Sequence, residues 1–133
     1  MQIFLPLRIF FVSLVFACVS CATMQAPTTT KSQQELQSGI KSYEDGDYKT
    51  ATKQLQTSLE LGLNSKSEQG SAHKYLAFIY CTSSREKACR EEFRKAFESD
   101  PNFDLQPAEV GHPIWGPVFR SVKGEMVGKV KPK

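Results

Sequence analysis

The sequence predicts an all-α domain behind an N-terminal export signal, and three observations carry this prediction. Apolar residues recur at the spacing of a helix face in four successive runs between residues 36 and 97. Glycine, proline or small polar residues separate these runs. A nearly uninterrupted apolar stretch at residues 9–19 follows the single positive charge of Arg8.

The composition disfavours two classes of function. The chain has 133 residues, 23% of them charged, and a formal net charge of +3. Without the apolar N-terminal stretch, the remainder suffices for one modest core but not for separate substrate and cofactor domains. Because +3 is a weak basic excess, we expect no nucleic-acid partner.

Residues 1–20 are predicted to be a secretory signal peptide. Their apolar stretch is shorter than the about 20 residues that a membrane-spanning helix needs. It ends in Ala17-Cys18-Val19-Ser20-Cys21, which resembles a bacterial lipobox. In such signals a cysteine after a small residue is acylated and becomes the mature N-terminus. We favour Cys21 for lipidation, with Cys18 as the alternative; an uncleaved anchor or an ordinary secretory peptide is the other interpretation.

The residues after the lipobox suggest a location and a tether. Cys21 is followed by Ala22 and not by aspartate. By resemblance to Gram-negative lipoproteins, this implies the periplasmic face of the outer membrane, where several acyl chains would hold the protein stably. Residues 21–34 are rich in Thr, Ser, Gln and Pro, so we expect a flexible tether there. The folded domain is then expected over residues 35–123.

Each of the four helices is predicted from apolar residues that share one face and from the break that ends it. Glycine suits the C-cap of a helix, and proline cannot continue one. The breaks, in chain order, are Gly46-Asp47, Gly62, the polar turn Thr82-Ser83-Ser84, and Asp100-Pro101.

The four helices form two similar pairs. The first pair contains Gly46-Asp47-Tyr48-Lys49-Thr50-Ala51, followed by Leu55 and Leu59, and this pattern resembles the tetratricopeptide repeat. In the second pair Cys89 takes the place of Ala51, about 38 residues further on, where the standard period is 34. The second pair lacks the Gly-Asp-Tyr turn. The resemblance implies two helix-turn-helix repeats; the alternative is an unrelated small helical bundle.

Two repeats would expose an apolar face at each end, so the sequence should also supply a cap. Residues 113–119 are mostly apolar, and Pro117 suits the first turn of a helix that starts near residues 114–117. We expect a C-terminal capping helix in which Trp115 and Phe119 seal the second repeat. The alternative is that Trp115 and Phe119 form an exposed hydrophobic patch for a partner. Residues 124–133 are predicted to be a basic, disordered tail.

A disulfide between Cys81 and Cys89 is predicted from the short turn that joins their two helices. Antiparallel neighbours joined in this way bring such positions close enough to be bridged. An oxidising periplasm would permit the bond. The alternative is a pair of buried free thiols. A redox pair is not expected, because the spacing is not the C-x-x-C of redox proteins.

No catalytic or metal-binding arrangement stands out in the sequence. His73 is expected at a helix start on the surface, and Glu91-Glu92 is expected on a solvated helix face. A zinc site of the two histidines with Cys81 and Cys89 would match no known ligand spacing. We therefore predict that the protein is not an enzyme and uses no cofactor, metal or small-molecule substrate.

The resemblance also implies where a protein partner would bind, because the first helix of each tetratricopeptide pair lines a groove. The residues expected to form this partner groove are Leu36, Ile40, Tyr43, Lys74 and Phe78. Phe78 occupies a position where a clamp for a peptide carboxylate would need asparagine, so we expect a mixed apolar and polar groove. The predicted function is a lipid-anchored periplasmic adaptor for an envelope complex, with an accessory role in a secretion or pilus machine as one instance. The alternative is a small structural or peptidoglycan-associated lipoprotein whose Lys-rich tail touches an anionic surface.

Overall fold

The computed structural model describes residues 29–129, and this part of the chain is all-α, as the sequence predicts. Six helices follow one another: α1 (Lys31–Glu44), α2 (Tyr48–Leu61), α3 (Lys66–Thr82), α4 (Glu86–Ser99), α5 (Pro107–Val110) and α6 (Gly116–Lys129). The helices α1 and α2 pack as one antiparallel pair, α3 and α4 pack as a second, and α6 packs on α4. The predicted signal peptide and both candidate lipidation sites, Cys18 and Cys21, lie outside the described residues.

The first helix begins earlier than predicted. The Thr30 side chain accepts a hydrogen bond from the Gln33 backbone N–H, and the Gln33 side chain accepts one from the Thr30 backbone N–H. This reciprocal capping box satisfies two N–H groups that the first helical turn cannot pair. The helix therefore starts at Lys31, and the expectation that the tether reaches residue 34 is wrong.

The first pair is joined by a turn that glycine makes possible. Gly46 has a φ of +81°, in the left-handed region that side chains disfavour. Asp47 then caps α2 by accepting a hydrogen bond from the Thr50 backbone N–H. Further from this turn, Gly39 of α1 lets the two helices approach closely. A Cβ atom at this position would lie only 2.8 Å from the Leu55 Cγ, so a larger residue would push the helices apart.

The second pair is joined by a short turn and a covalent bond. The sulfur atoms of Cys81 and Cys89 lie at disulfide distance, 1.96 Å, with their Cα atoms 5.1 Å apart, as the short connection predicts. Both cysteines are buried in the core between α3 and α4. The bond therefore joins the end of α3 to the first turn of α4.

The C-terminal segment caps the second pair. Trp115 and Phe119 are both buried in the core, and Pro117 is the second residue of α6, within its first turn. The sealing role predicted for the two aromatic side chains is confirmed. The alternative, an exposed patch formed by Trp115 and Phe119, is wrong because these rings pack on Phe78, Phe93 and Phe97.

The predicted disordered tail is helical as far as Lys129. The helix α6 continues past Gly124 because the C-terminal half of the helix still makes tertiary contacts. Arg90 of α4 pairs with Glu125, and Met126 packs against the core. The expectation of disorder is therefore wrong for residues 124–129, and residues 130–133 lie outside the described part.

Candidate functional site

The five predicted groove residues fall into two groups in the structure. Leu36 and Phe78 are core residues, exposed by only 1% and 2%. They cannot contact a partner directly, so the prediction is wrong for these two: both side chains belong to the hydrophobic core, and the Phe78 ring packs against Phe93 and Trp115. Ile40, Tyr43 and Lys74 remain partly accessible on the face that α1 and α3 share.

A row of aromatic rings crosses this face. Its centroid distances are 5.6 Å from Tyr48 to Tyr43, 5.1 Å from Tyr43 to Tyr75, 6.0 Å from Tyr75 to Phe78, and 4.2 Å from Phe78 to Trp115. These spacings lie in or near the range of favourable aromatic pairs. The row therefore connects the first helix pair to the C-terminal cap.

The C-terminal segment covers one end of the row. The Lys74 ammonium donates a hydrogen bond to a Glu109 carboxylate oxygen at 2.7 Å. The Trp115 indole N–H donates to the Glu109 carbonyl at 2.9 Å, and the His112 ring stacks on the indole. Lys74 and Phe78, two of the predicted groove residues, are thus engaged by the chain itself.

The other end of the row stays accessible. We name Tyr43, Tyr48 and Tyr75 the tyrosine cluster. Tyr48 is 43% exposed, and Tyr43 and Tyr75 are partly exposed. Of the three, only Tyr43 is a predicted groove residue; Tyr48 belongs to the repeat motif, and the apolar run that contains Tyr75 predicts only a helix. The spacing of the first two tyrosines across the Gly46-Asp47 turn is the signal that could have joined them.

The phenols of Tyr43 and Tyr75 stay neutral over a wide pH range. Burial, followed by the neighbouring Tyr48, Tyr75 and Glu109, raises the pKa of Tyr43 to about 12. Burial, Glu109 and Glu44 also raise the pKa of Tyr75 above its usual value. Nearby carboxylates have this effect because they disfavour a phenolate. Both hydroxyls can therefore donate hydrogen bonds at neutral pH.

A cluster of three polar side chains, His73, Glu92 and Lys95, lies between α3 and α4. The sequence predicts surface positions for His73 and Glu92. The His73 Nδ1 and Glu92 Oε2 atoms are 2.7 Å apart, and the Lys95 ammonium donates to the other Glu92 oxygen at 2.9 Å. Glu92 is only 8% exposed, so the expectation of a solvated Glu91-Glu92 face is wrong for this residue. His73 lies inside α3 and not at its start, because α3 begins at Lys66.

The Glu92 carboxyl keeps its charge despite its position. Burial on its own would raise the pKa of this group, but the hydrogen bonds and charges of His73 and Lys95 outweigh burial and lower the pKa below its usual value. All of its partners belong to the helix pair. The arrangement therefore joins α3 to α4 as a structural tie.

Among residues 29–129, no group of three or more His, Cys, Asp or Glu side chains is placed to hold a metal ion. None of the helices in this part of the chain has the length and apolar character needed to cross a membrane. Comparison with known proteins finds no matching protein-family model, no matching curated protein and no matching solved structure.

Proposed function

We propose that this protein is a lipid-anchored periplasmic adaptor, which binds a partner protein and scaffolds an envelope complex. In this proposal the chain is acylated at Cys21, with Cys18 as the alternative, and is held on the periplasmic face of the outer membrane. An accessory role in a secretion or pilus machine is one instance of such a function. The membrane contact would be made by the acyl chains alone.

One observation carries the adaptor proposal: the tyrosine cluster is accessible where the end of α1, the start of α2 and the middle of α3 meet. Large aromatic side chains are enriched where proteins bind one another, since each removes much apolar area from water and keeps a polar group at its edge. The tetratricopeptide resemblance of the sequence, which we propose extends to this fold, implies a partner site on the first helices of the two pairs.

The buried members of the row support the same proposal in a second way. Phe78 and Trp115 stack on each other under the C-terminal segment, and Phe78 also packs against Tyr75. This packing holds one side of the tyrosine cluster in place before a partner arrives. A preorganised surface loses less side-chain entropy on binding, so it binds more tightly for the same contact area.

The proposal is tested by mild crosslinking in the native envelope, followed by purification of the full chain and identification of co-purifying proteins. We expect one reproducible partner, which is lost in the Tyr48→Ala variant and retained in Leu61→Ala. Leu61 is a matched control because it is another large exposed apolar residue of α2, at the far end of that helix.

Recovery only with peptidoglycan or lipid, unchanged by Tyr48→Ala, would refute the adaptor and leave the structural or peptidoglycan-associated role. Cys21→Ser and Cys18→Ser variants test the anchor in the same preparation. We expect Cys21→Ser to abolish acylation and membrane association, whereas the same loss in Cys18→Ser alone would assign lipidation to Cys18.

A further inference from the structure

A cleft opens between α3 and the segment of residues 100–104, which leads from α4 towards α5. Its volume is about 240 Å³, and Ser67, Ser71 and Lys74 line it from one face of α3. These three positions share a face because residues three and four apart lie one above the other on a helix. The cleft is smaller than the sites that hold drug-sized ligands, so it suits a single compact group.

The opposite wall of the cleft is held in place by the protein itself. The Asn102 backbone N–H donates a hydrogen bond to the Asp100 Oδ1 atom at 3.0 Å. The Phe103 ring packs against aromatic rings of α4 and α6, and the Asp104 carboxylate is paired with a lysine of α6. A preformed wall loses little conformational entropy when a ligand binds.

Several polar groups of the cleft are not used by the fold. Within residues 29–129, the Ser67 and Ser71 hydroxyls and the Asn102 side-chain amide make no hydrogen bond, and Asp100 forms no salt bridge. Hydroxyl and amide groups can both donate and accept hydrogen bonds, whereas a carboxylate only accepts them. The cleft therefore offers free donors and free acceptors side by side, with the acceptors in excess.

This mixture of groups discriminates between classes of ligand. An anion is disfavoured, because two carboxylates line the cleft and the Lys74 ammonium is already paired with Glu109. A metal ion is disfavoured too, since residues 29–129 place no third carboxylate, histidine or cysteine beside Asp100 and Asp104. A purely apolar ligand would leave the polar groups unpaired, which is costly. A compact, uncharged ligand that is rich in hydroxyl groups and has one apolar side matches the whole set.

We propose that this cleft binds one sugar ring. The apolar C–H side of the ring packs against Phe103, because an aromatic side chain removes it from water. The hydroxyl groups of the ring donate to the Asp100 carboxylate and bond to the Ser71 hydroxyl and the Asn102 amide, so the free donors and acceptors are both satisfied. This site goes beyond the proposed adaptor function and does not depend on it, because the tyrosine cluster consists of other residues.

The experiment titrates the isotope-labelled full chain in a detergent without a sugar headgroup and follows its amide signals by NMR. The probes are N-acetylglucosamine, glucose, the glycan chitotriose, cyclohexanol and methylammonium. We expect saturable shifts of the Asn102 side-chain amide and the Ser71 backbone amide with the sugars. Cyclohexanol, which keeps the ring but only one hydroxyl, should bind less tightly, and methylammonium should cause no shift. Tighter binding of chitotriose than of N-acetylglucosamine would identify a glycan chain as the source of the ring; equal or weaker binding would identify a free sugar.

Two pairs of variants locate the site. Asn102→Ala should weaken the binding of N-acetylglucosamine about twofold to tenfold, the usual effect of one lost hydrogen bond. Its control is Asn64→Ala, which changes an exposed asparagine outside the cleft. Ser71→Ala should weaken binding by a similar factor, whereas Ser38→Ala on the exposed side of α1 should not. None of these four side chains belongs to the core, so the variants should stay folded, and their amide spectra check this.

Several results would overturn the proposal: no saturable shift with any of the sugars, equally tight binding of cyclohexanol, or equal effects of the cleft variants and their controls. Shifts with methylammonium and not with the sugars would replace the sugar ring with an ammonium group. These failures differ from failure of the adaptor function. If the sugars bind but Tyr48→Ala leaves partner capture unchanged, the adaptor is refuted and the cleft stands; if the sugars do not bind but Tyr48→Ala abolishes capture, only the sugar site is refuted.

Discussion

The two helix pairs build the same turn with different chemistry. In the first pair Gly46 takes the left-handed φ of +81°, and the Asp47 side chain caps the next helix. At the equivalent positions of the second pair, Ser84 has a φ of +58° and Arg85 makes no side-chain cap. A left-handed conformation is costly for any residue with a Cβ atom. The second turn is therefore locally the weaker one.

Tertiary features offset this weakness in the second pair. The Cys81–Cys89 disulfide crosses the same turn. Phe93 occupies the position of Leu55 and contacts both Phe78 of α3 and Phe119 of α6. A helix pair with poor local signals can therefore still form where a covalent bond and a larger aromatic core hold it.

The polar ties between the helices differ as well. In the first pair the Ser42 hydroxyl donates to the Gln54 side-chain oxygen at 2.7 Å, and both groups are neutral. In the second pair the tie between His73 and Glu92 is ionisable. We therefore expect only the second pair to respond to acid through its interhelical tie.

Phe93→Ala should break the second pair most severely. Removal of a fully buried ring leaves a cavity between α3, α4 and α6, and we expect a loss of about 3–5 kcal/mol in the free energy of unfolding. Urea unfolding followed by circular dichroism measures it. Val127→Ala is the control, because this exposed residue of α6 should change stability by no more than about 0.5 kcal/mol. A loss for Phe93→Ala as small as the control would contradict the account of the core.

Removal of the disulfide should have the next largest effect. Cys81→Ala combined with Cys89→Ala should lower stability by about 2–3 kcal/mol, because the unfolded chain regains the freedom that the closed loop denies it. Thermal unfolding with and without a reductant measures this loss. The reductant should destabilise the natural chain and leave the double variant unaffected; sensitivity of the double variant would show that the loss arises elsewhere.

Glu92→Gln should distinguish the ionisable tie from the neutral one. Because the pKa of Glu92 is lowered in the folded state, its contribution is present above the usual value of 4.5 and is lost as the pH falls through the folded pKa. At neutral pH the variant should lose about 1–3 kcal/mol, since His73 and Lys95 lose a charged partner. The difference from the natural chain should shrink as the pH falls below 4.5.

The matched control for this pH series is Ser42→Ala in the first pair. Its loss of about 1 kcal/mol should stay constant over the same pH range, because neither Ser42 nor Gln54 titrates. Urea unfolding at a series of pH values measures both variants. A constant difference for Glu92→Gln would refute the ionisable tie.

Ser84→Gly should have the smallest effect and the opposite sign. Glycine adopts the left-handed φ without a Cβ penalty, so we expect a gain of about 0.5–1 kcal/mol. The reciprocal variant Gly46→Ser should destabilise the first turn by a similar amount. Each variant gives one turn the residue of the other turn, and thermal unfolding measures the stability of both. Destabilisation by Ser84→Gly would mean that the serine side chain stabilises its turn.

Most of the helical architecture could be predicted because its signals are local. Gly46, Gly62 and Pro101 mark breaks that depend only on backbone geometry, and the end of α2 at Leu61 and the end of α4 at Ser99 agree with them. The disulfide between Cys81 and Cys89 could be predicted because the turn that joins α3 to α4 is short. The start of α1 differs from the prediction because the capping box of Thr30 and Gln33 lets the helix begin at Lys31.

The candidate site was predictable only in part because face assignment depends on neighbours that are distant in sequence. Periodicity placed Leu36, Tyr43 and Phe78 on one face of their helices, but it could not say which of them another helix would cover. Phe78 is covered by Trp115 from the C-terminal segment, and Tyr43 is covered only partly. The burial of Glu92 escaped prediction because its partner His73 lies in a different helix.

The all-α class, the pairing of the helices and the covalent bond across the second turn follow from the amino-acid sequence alone. These features arise from helix periodicity, from the restricted backbones of glycine and proline, and from the short span between two cysteines. Which aromatic rings are buried in the core and which remain accessible as the tyrosine cluster depends on the packing of the whole fold. The physical reason is that burial is a property of packed surfaces, and packing brings together residues whose spacing in the chain carries no information about their contact.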